Sequence, residues 1–561
     1  MDSYNNTSLY NALKELRVVE DSQLDLAFSD SETQKIPLEE ILLKRDLISD
    51  ENLGKTISEL LSLPLVRLND ISIPRDILNL IPEVVARKQK VIAYKKDEKG
   101  LHVAMSDPSN IQIKDFVEKK IGIPLIVYFA TKRDIENAVF LYKKDLVASF
   151  DEIINENIDQ ISKVSGKEID PPIIKIVDEI LRFAYHNKAS DVHIEPFREK
   201  SLVRFRIDGV LHDILTLPLE LHPPIVTRIK VLSSLKTDEH HAAQDGKLQF
   251  LSDEENVDVR VSIVPIKNGE KIVMRLLSER SRQFSLTNLG LSNEAHEKIK
   301  KAYLKPYGMI LATGPTGSGK TTTIYAILKL LNNRNVNIMT IEDPIEYDIE
   351  GVNQIQVNTA TNLTFAEGLR SIVRQDPDII LVGEIRDNET ADIAINSALT
   401  GHIVLSTVHT NDAATTFPRL LDMKVEPFLI ASTVNIVIAQ RLVRTIHDKC
   451  RLSVEIGIEQ LKLQIGEELV KKTFGDTQTV RLYRGKGCGL DHNTGYEGRV
   501  GIFEVLLMND EIRDAITQRQ DSNIIKQIAV KNGMTTMIED GLSKVKQGIT
   551  TIEEVIRATK E

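Results

Sequence analysis

Two rhythms of apolar and polar positions run along this chain, and they divide it. Residues 1 to about 63 carry apolar positions at helical spacing between polar breaks, as in LEEILLKRDL and ISDENLGKTISELLSL, where Ser49 stands before an acidic first turn. A small helical unit is expected there. From Pro64 to about Lys143, β-type runs (LPLVRL, KVIAYK, LHVAMS, PLIVYF) interleave with helical ones (RDILNLIPEVVARK, IKDFVEKKI, KRDIENAVFLYKK), the pattern of a compact α/β or α+β module. Residues 144–170 are acidic and polar with isoleucines at helical spacing, and read as a linker holding a transient helix. Pro171-Pro172 then opens a unit with one helix (IIKIVDEILRFAYHNK) and five strands (DVHIEP, LVRFRID, LHDIL, VDVRVSIVP, KIVMRLL), extending to about residue 285. Beyond Leu286, strands and helices alternate through Ala439, as in a parallel sheet covered by helices. The expected division is therefore 1–143, the linker, 171–285 and 286–561.

Composition narrows the class. With 561 residues, 42% of them hydrophobic and 27% charged, the chain is an ordinary globular sequence too long for one core at roughly 100–200 residues per domain. The balance of 71 basic and 82 acidic residues, net −11, argues against a protein that coats nucleic acid. Two cysteines cannot form a disulfide framework, which points to a reducing, cytoplasmic setting. The start, MDSYNNTSLYNALKEL, lacks the basic and apolar regions of a signal peptide. Phe428–Leu442, the most apolar stretch, is interrupted by Ser432, Thr433, Asn435 and Gln440 and falls short of the ~20 residues of a membrane span. Membrane contact is expected to be peripheral or through a partner.

The chemistry concentrates in the last unit. Gly314-Pro315-Thr316-Gly317-Ser318-Gly319-Lys320-Thr321 follows the strand-like MILAT and opens a helix-like run, the context in which GxxxxGK[ST] cradles phosphates. Its glycines turn backbone N–H groups inward, Lys320 reaches the β/γ-phosphates, and Thr321 offers a hydroxyl to Mg²⁺. Asp378–Glu384 reads as a buried strand delivering the Glu384 carboxylate at its C-terminal end, as a ligand of Mg²⁺ or its water. Between them, IEDPIE places Glu342, Asp343 and Glu346 at another strand end, a crowding of acids suited to activating water. His409 ends a fourth strand-like run, HIVLSTVHT.

GPTGSGKTTT, TIEDPIE, DPDIILVGEIRDNETA, TGHIVLSTVHTNDA and QRLVR, in that order, resemble the secretion ATPase superfamily that drives type II secretion and type IV pili. SDVHIEP, VRFRIDGVL, QDGK, VDVRVS and GEKIVMRLL resemble its second N-terminal domain, and LIPEVVARK with LHVAMSDP its first. The resemblance implies an α/β, multidomain fold: a RecA-like P-loop ATPase domain, a preceding α+β domain, and an N-terminal helical plus α/β domain. It implies binding of ATP and Mg²⁺, with Thr322 joining the phosphate loop. Glu346 would be the general base, Glu384 the atypical Walker B acid and His409 the phosphate sensor, while Arg260, Arg275 and Arg499 match arginines placed near the nucleotide. It further implies a hexameric ring whose two-lobed subunits close around ATP and turn an inner-membrane platform protein from the cytoplasmic face. Pilus assembly is the expected task, because residues 1–143 exceed what short retraction motors carry. Type II secretion is the alternative, and a non-hydrolysing scaffold or a DNA-translocating motor fits less well.

Two departures matter. Relatives carry two CxxC pairs after QRLVR; here the matching positions are His447, Cys450, Cys488 and Asp491, with His492 adjacent, in a small subdomain at about 441–505. Either a zinc site survives with changed ligands, or it has decayed and packing around Ile446, Leu452, Leu490 and Tyr496 replaces it. The segment IPLEEILLKRDLISDENLGKTISELL lacks the Arg-Leu-Gly start and mid-motif glycine of cyclic di-GMP-binding first domains, so no tight binding of that ligand is expected.

Overall fold

The computed structural model describes residues 5–560 apart from 17–18, 45–46, 49, 69–70, 72, 144–170, 252–255, 278–285, 347, 489–490 and 492. The expected linker helix, Ser49, Leu490 and His492 lie outside the described residues. The chain forms two compact units, one of residues 1–276, 447–453 and 485–495, the other of 277–446, 454–484 and 496–561. The stretch 441–505, expected as one subdomain, is thus shared between them.

In the first unit the N-terminal helices Asn6–Leu16, Asp21–Gln34, Leu38–Lys44 and Asp50–Leu61 bury Leu9, Leu13, Leu24, Leu38, Leu42 and Ile57. Three strands follow in one sheet: β1 (Val91–Asp97), β2 (Gly100–Met105) and β3 (Leu125–Phe129), in that order. The expected strand in LPLVRL reduces to a single bridge, Leu65 to Phe129, since Pro64 has no N–H to give a ladder. Likewise RDILNLIPEVVARK forms two short helices, Arg75–Leu78 and Glu83–Gln89, because Pro82 disfavours helical geometry in the residue before it.

The helix Pro171–His186 covers a six-stranded sheet built from β4 (Asp191–Pro196), β5 (Lys200–Ile207), β6 (Val210–Pro218), β7 (Gln244–Leu251), β8 (Asn256–Ile266) and β9 (Gly269–Leu277), in the order β6-β5-β4-β9-β8-β7. Alternation decides which face is core: Val257, Val259, Val261 and Ile263 of β8 are buried, while Asp258, Arg260 and Ser262 take the other face. Strand β7 has no counterpart in the sequence reading. Gln244, Asp245, Gly246 and Lys247 hide its period, and only Leu248 and Phe250 join the core.

The second unit holds β10 (Gly308–Thr313), β11 (Ile338–Glu342), β12 (Val352–Gln356), β13 (Ile379–Val382), β14 (Ile403–Val408), β15 (Val434–Ile446) and β18 (Tyr496–Leu507), ordered β12-β11-β13-β14-β10-β15-β18. The remaining strands, β16 (Arg451–Gly457) and β17 (Thr479–Gly485), pair with each other. Every pairing among β10 to β15 in the large sheet is parallel, and β18 closes it antiparallel to β15. Helices cover both faces, so β10 and β13 are buried at every position and read as uninterrupted apolar runs. Parallel strands also bring all their C-terminal ends to one edge, where the phosphate loop, Glu384 and His409 emerge.

The last helix, Ile552–Lys560, is tied to β15 through Glu554, whose side chain is buried. Its carboxylate accepts the Arg444 backbone N–H at 3.0 Å, Arg444 Nη2 at 2.6 Å and Arg557 Nη2 at 2.8 Å. Burial alone would raise its pKa, but these donors outweigh it and hold the group at about 2, below its ordinary 4.5. A depressed carboxylate contributes stability above its unfolded pKa and loses it as pH falls toward the folded one. Glu554→Gln is therefore expected to lower Tm at pH 7 and to flatten the loss of stability between about pH 4.5 and 2 in thermal melts. An unchanged acid limb would contradict this assignment.

Candidate active site

The loop between β10 and the helix Lys320–Leu331 is closed by its glycines. Gly314, Gly317 and Gly319 have φ of 145°, 80° and 88°, the region that L side chains avoid. A Cβ on Gly314 would lie 2.4 Å from the Gln440 carbonyl oxygen, and one on Gly319 would lie 2.6 Å from Gln440 Nε2. Gln440, buried on β15, also accepts the Thr323 hydroxyl at 2.5 Å, so it fixes both ends of the loop. Within QRLVR nothing local gives this residue its task.

Lys320 turns back into the loop, donating to the carbonyls of Gly314 at 2.8 Å and Pro315 at 3.0 Å. Burial pulls its pKa below the ordinary lysine range, and the charge of Glu384 works against that shift. The Ser318 hydroxyl is buried with no hydrogen-bond partner. A cation bonded only to carbonyls, an orphaned hydroxyl and a helix N-terminus together suit an anion such as a nucleotide polyphosphate. Thr321 is exposed beside them and available to a cation.

Glu384 follows β13 and is buried, flanked by Arg386 and by His409, whose Nε2 lies 3.2 Å from Glu384 Oε2. The two strand ends are tied by the Thr407 hydroxyl, which donates to the Gly383 carbonyl at 2.7 Å. Behind His409, the Thr410 N–H donates to Thr313 Oγ1 at 3.0 Å, so the histidine loop is fastened to the last residue before the phosphate loop. At the end of β11, Glu342 is buried and accepts hydroxyl groups from Tyr325 and, at 2.6 Å, Thr340, with the Gln354 amide at 3.1 Å. Tyr325 also lies within reach of the Glu346 backbone N–H, and burial with the Glu342 charge raises its pKa far above the tyrosine range. Glu342 thus anchors the loop, in which Asp343 is exposed and Glu346 half-buried. The Tyr325–Glu342 pair was absent from the sequence reading, because nothing local relates a helix residue to a strand end 17 residues away.

The arginines are not all brought to this edge. Arg275, on β9, donates from Nε to Asp191 Oδ1 at 3.0 Å, and Arg260 is half-buried on β8 opposite Lys247; both belong to the first unit. Arg499 is exposed on β18 opposite Arg444, five residues past Ala439, the β15 position registered with Thr313. At ~3.3 Å per residue that is well beyond the end of β10.

His447, Cys450, Cys488 and Asp491 form a separate cluster whose ligand atoms all lie within 4.8 Å of one another. Asp491 Oδ2 is 2.9 Å from both His447 Nδ1 and Cys450 Sγ, and 3.3 Å from Cys488 Sγ. Burial, reinforced by the Asp491 carboxylate, pushes the Cys450 thiol up to about 12. Burial would raise Asp491 as well, yet the Cys450 thiol, the Cys488 N–H and His447 hold it at about 2. Imidazole, two sulfurs and a carboxylate converging in a buried pocket fit a tetrahedral zinc ion. Of the alternative packing residues, Ile446 is buried but Leu452 is 42% exposed, so Leu452 gives the loop little apolar support.

Among the described residues, no helix is long and apolar enough to cross a membrane. The family described as Type II/IV secretion system protein matches residues 167–557, and the MshEN domain matches 61–145. Over 532 residues the chain is 38% identical to the type IV pilus assembly ATPase PilB of Myxococcus xanthus, covering 92% of this chain and 93% of that protein. It is also 38% identical over 565 residues to the type II secretion system protein E of Xanthomonas campestris, covering 99% of each. The structures of the DotB ATPases from Legionella pneumophila (23% identity, TM-score 0.50, 70% of this chain and 96% of that one) and Yersinia pseudotuberculosis (19%, 0.51, 69% and 93%) share its fold.

Proposed function

The chain belongs to the type II/IV secretion system protein family, within the secretion ATPase superfamily, and from that premise we propose that it is an ATP-hydrolysing motor for type IV pilus assembly. The observation that carries the reading is the convergence of the phosphate loop, the Glu342–Glu346 segment, Glu384 and His409 at the C-terminal edge of one parallel sheet. Lys320 and the loop amides bind the polyphosphate and orient the γ-phosphoryl group. Glu346 takes the proton of the attacking water, and His409 holds Glu384 in line with the γ-phosphate. Thr321 and Glu384 would hold Mg²⁺, which supplies charge neutralisation on the β- and γ-oxygens. In this reading six copies form a ring at the cytoplasmic face of the inner membrane and act on a platform protein. Residues 1–143 favour assembly over retraction by analogy within the family.

Type II secretion is the second reading, supported by the end-to-end match to the Xanthomonas protein. Deleting the gene and scoring surface pili against secreted enzymes separates the two. Loss of pili with secretion intact is the expected result, and the reverse would assign the chain to secretion.

The His447, Cys450, Cys488 and Asp491 cluster is proposed to hold one structural zinc ion. With four protein donors no position stays open for chemistry, so the ion would stabilise and not catalyse. Elemental analysis of protein purified without chelator is expected to find about one zinc per subunit, lost in Cys450→Ser and in Cys488→Ser. Metal-free protein whose Tm ignores chelator would show that this fold dispenses with zinc.

A further inference from the structure

A buried charge cluster joins the histidine loop to a helix that belongs to none of the nucleotide-site motifs. The helix Ser522–Lys531 carries Lys526, whose Nζ lies 3.2 Å from Asp412 Oδ2 and 3.6 Å from Glu504 Oε2. Glu504, on β18, is 1% exposed. Its other oxygen, Oε1, accepts the Ala413 N–H at 3.1 Å. Asp412 in turn accepts the Thr415 N–H at 2.8 Å, and its backbone carbonyl accepts the Thr410 hydroxyl at 3.1 Å. Thr410 is bonded to Thr313, and its neighbour His409 faces Glu384. A chain of polar contacts therefore runs from Lys526 to the end of β10, and the peptide bond between Thr410 and His409 carries it on to the Glu384 carboxylate, inside one compact unit.

The charges explain why a lysine is needed. Two carboxylates stand close together, one wholly buried, and Lys526 is the cation they share. Burial alone would lower its pKa, yet Glu504 and Asp412 hold it above the ordinary lysine range. Removing the cation breaks the bridge: burial already raises the Glu504 carboxyl above its ordinary range, so it turns neutral, and half-buried Asp412, no longer tied to β18, can shift on its Thr415 bond. That movement would carry Thr410 and His409 with it.

We propose that Lys526, by bridging Asp412 and Glu504, is a positioning residue that holds the His409 loop in register with Glu384 for ATP turnover. The proposal rests on the ATPase reading, and the controls keep the two apart: if the wild-type protein does not hydrolyse Mg-ATP, the ATPase reading fails before any variant is compared. Lys526 touches no part of the phosphate loop, so its loss acts on turnover and spares nucleotide binding.

The test uses full-length protein, with ATPase kinetics, binding of a fluorescent ATP analogue, melting temperature and oligomeric state measured for each variant. Lys526→Met is expected to lower kcat roughly tenfold while KM and analogue affinity stay within about twofold. Lys526→Arg is expected to restore most of the rate, and Asp412→Asn to repeat the Lys526→Met split. The double variant should be no slower than the worse single one, because both break the same bridge. Lys531→Met, an exposed charge on the same helix, should leave kinetics unchanged. Wild-type kcat in folded Lys526→Met overturns the proposal, as does a parallel loss of kcat and affinity, or failure of arginine to rescue. Were Lys526→Met to melt early, Asp412→Asn alone decides by the same split.

Discussion

Lys320→Ala is expected to abolish Mg-ATP hydrolysis and to weaken nucleotide binding, whereas Glu384→Gln should bind ATP and fail to turn it over. The two side chains approach the same crevice but act on different things. Lys320 rests on the Gly314 and Pro315 carbonyls and has its pKa lowered by burial, against the opposing charge of Glu384, so a phosphate would be a stronger partner for its charge than these neutral oxygens. Removing it takes away a direct contact to the bound phosphates, in the ground state and the transition state alike. Losing one preorganised donor to developing charge costs roughly 10²–10³ in rate, and here it also costs affinity. Glu384 lies beside His409 and Arg386 and, in the proposed mechanism, would act on metal and water. The glutamine keeps its size and removes its charge, so kcat falls while the nucleotide stays bound. A single-turnover assay beside equilibrium binding checks both. Vigorous hydrolysis by Lys320→Ala would sink the site assignment.

What could be read from the sequence follows from the range of each interaction. The phosphate loop is legible because its glycines, lysine and threonine sit within eight residues, the glycines demanded by local backbone geometry and the other two by phosphate and cation chemistry. Parallel strands leave apolar runs with polar tips, so β11, β13 and β14 with Glu346, Glu384 and His409 were also visible. Gln440 was not, for its partner Thr323 is 117 residues away and a buried glutamine in a strand leaves no periodic trace. Lys526 was hidden for the same reason, its contact with Asp412 spanning 114 residues. Strand β7 failed differently: Gln244 and Gly246 share the face of Leu248 and Phe250, and the exposed Leu251 breaks the alternation, so no clean period of two marks it. The ligand cluster of His447, Cys450, Cys488 and Asp491 stands between these cases. Its members lie about 40 residues apart, and only resemblance to paired CxxC motifs joined them.

The two arginines of the first unit carry the other large effect. Arg260→Ala and Arg275→Ala are each expected to cut turnover roughly 10²-fold or more while leaving nucleotide affinity nearly intact. Arg275 is 60% exposed in its side chain and held by Asp191, with Arg206 sharing that carboxylate at 3.6 Å. Asp191 itself is buried, but Arg206 and the Ser190 hydroxyl, at 2.8 Å, stay on its carboxylate when Arg275 is removed, so the fold is expected to survive the change. What it offers is a planar charge that can leave one oxyanion for another, and phosphoryl transfer spreads negative charge over the equatorial oxygens as the reaction proceeds. In the proposed ring, a contact completed only on closure around ATP would add to the transition state and not to initial binding, which fixes the sign of the kcat-against-KM split. Asp191→Asn supplies the converse, since it frees Arg275 from its resting partner while keeping the arginine. It is expected to retain turnover where Arg275→Ala loses it. Steady-state kinetics at saturating ATP, with melting curves for each variant, decide the matter: wild-type rates in both folded alanine variants would reduce these arginines to surface ion pairs.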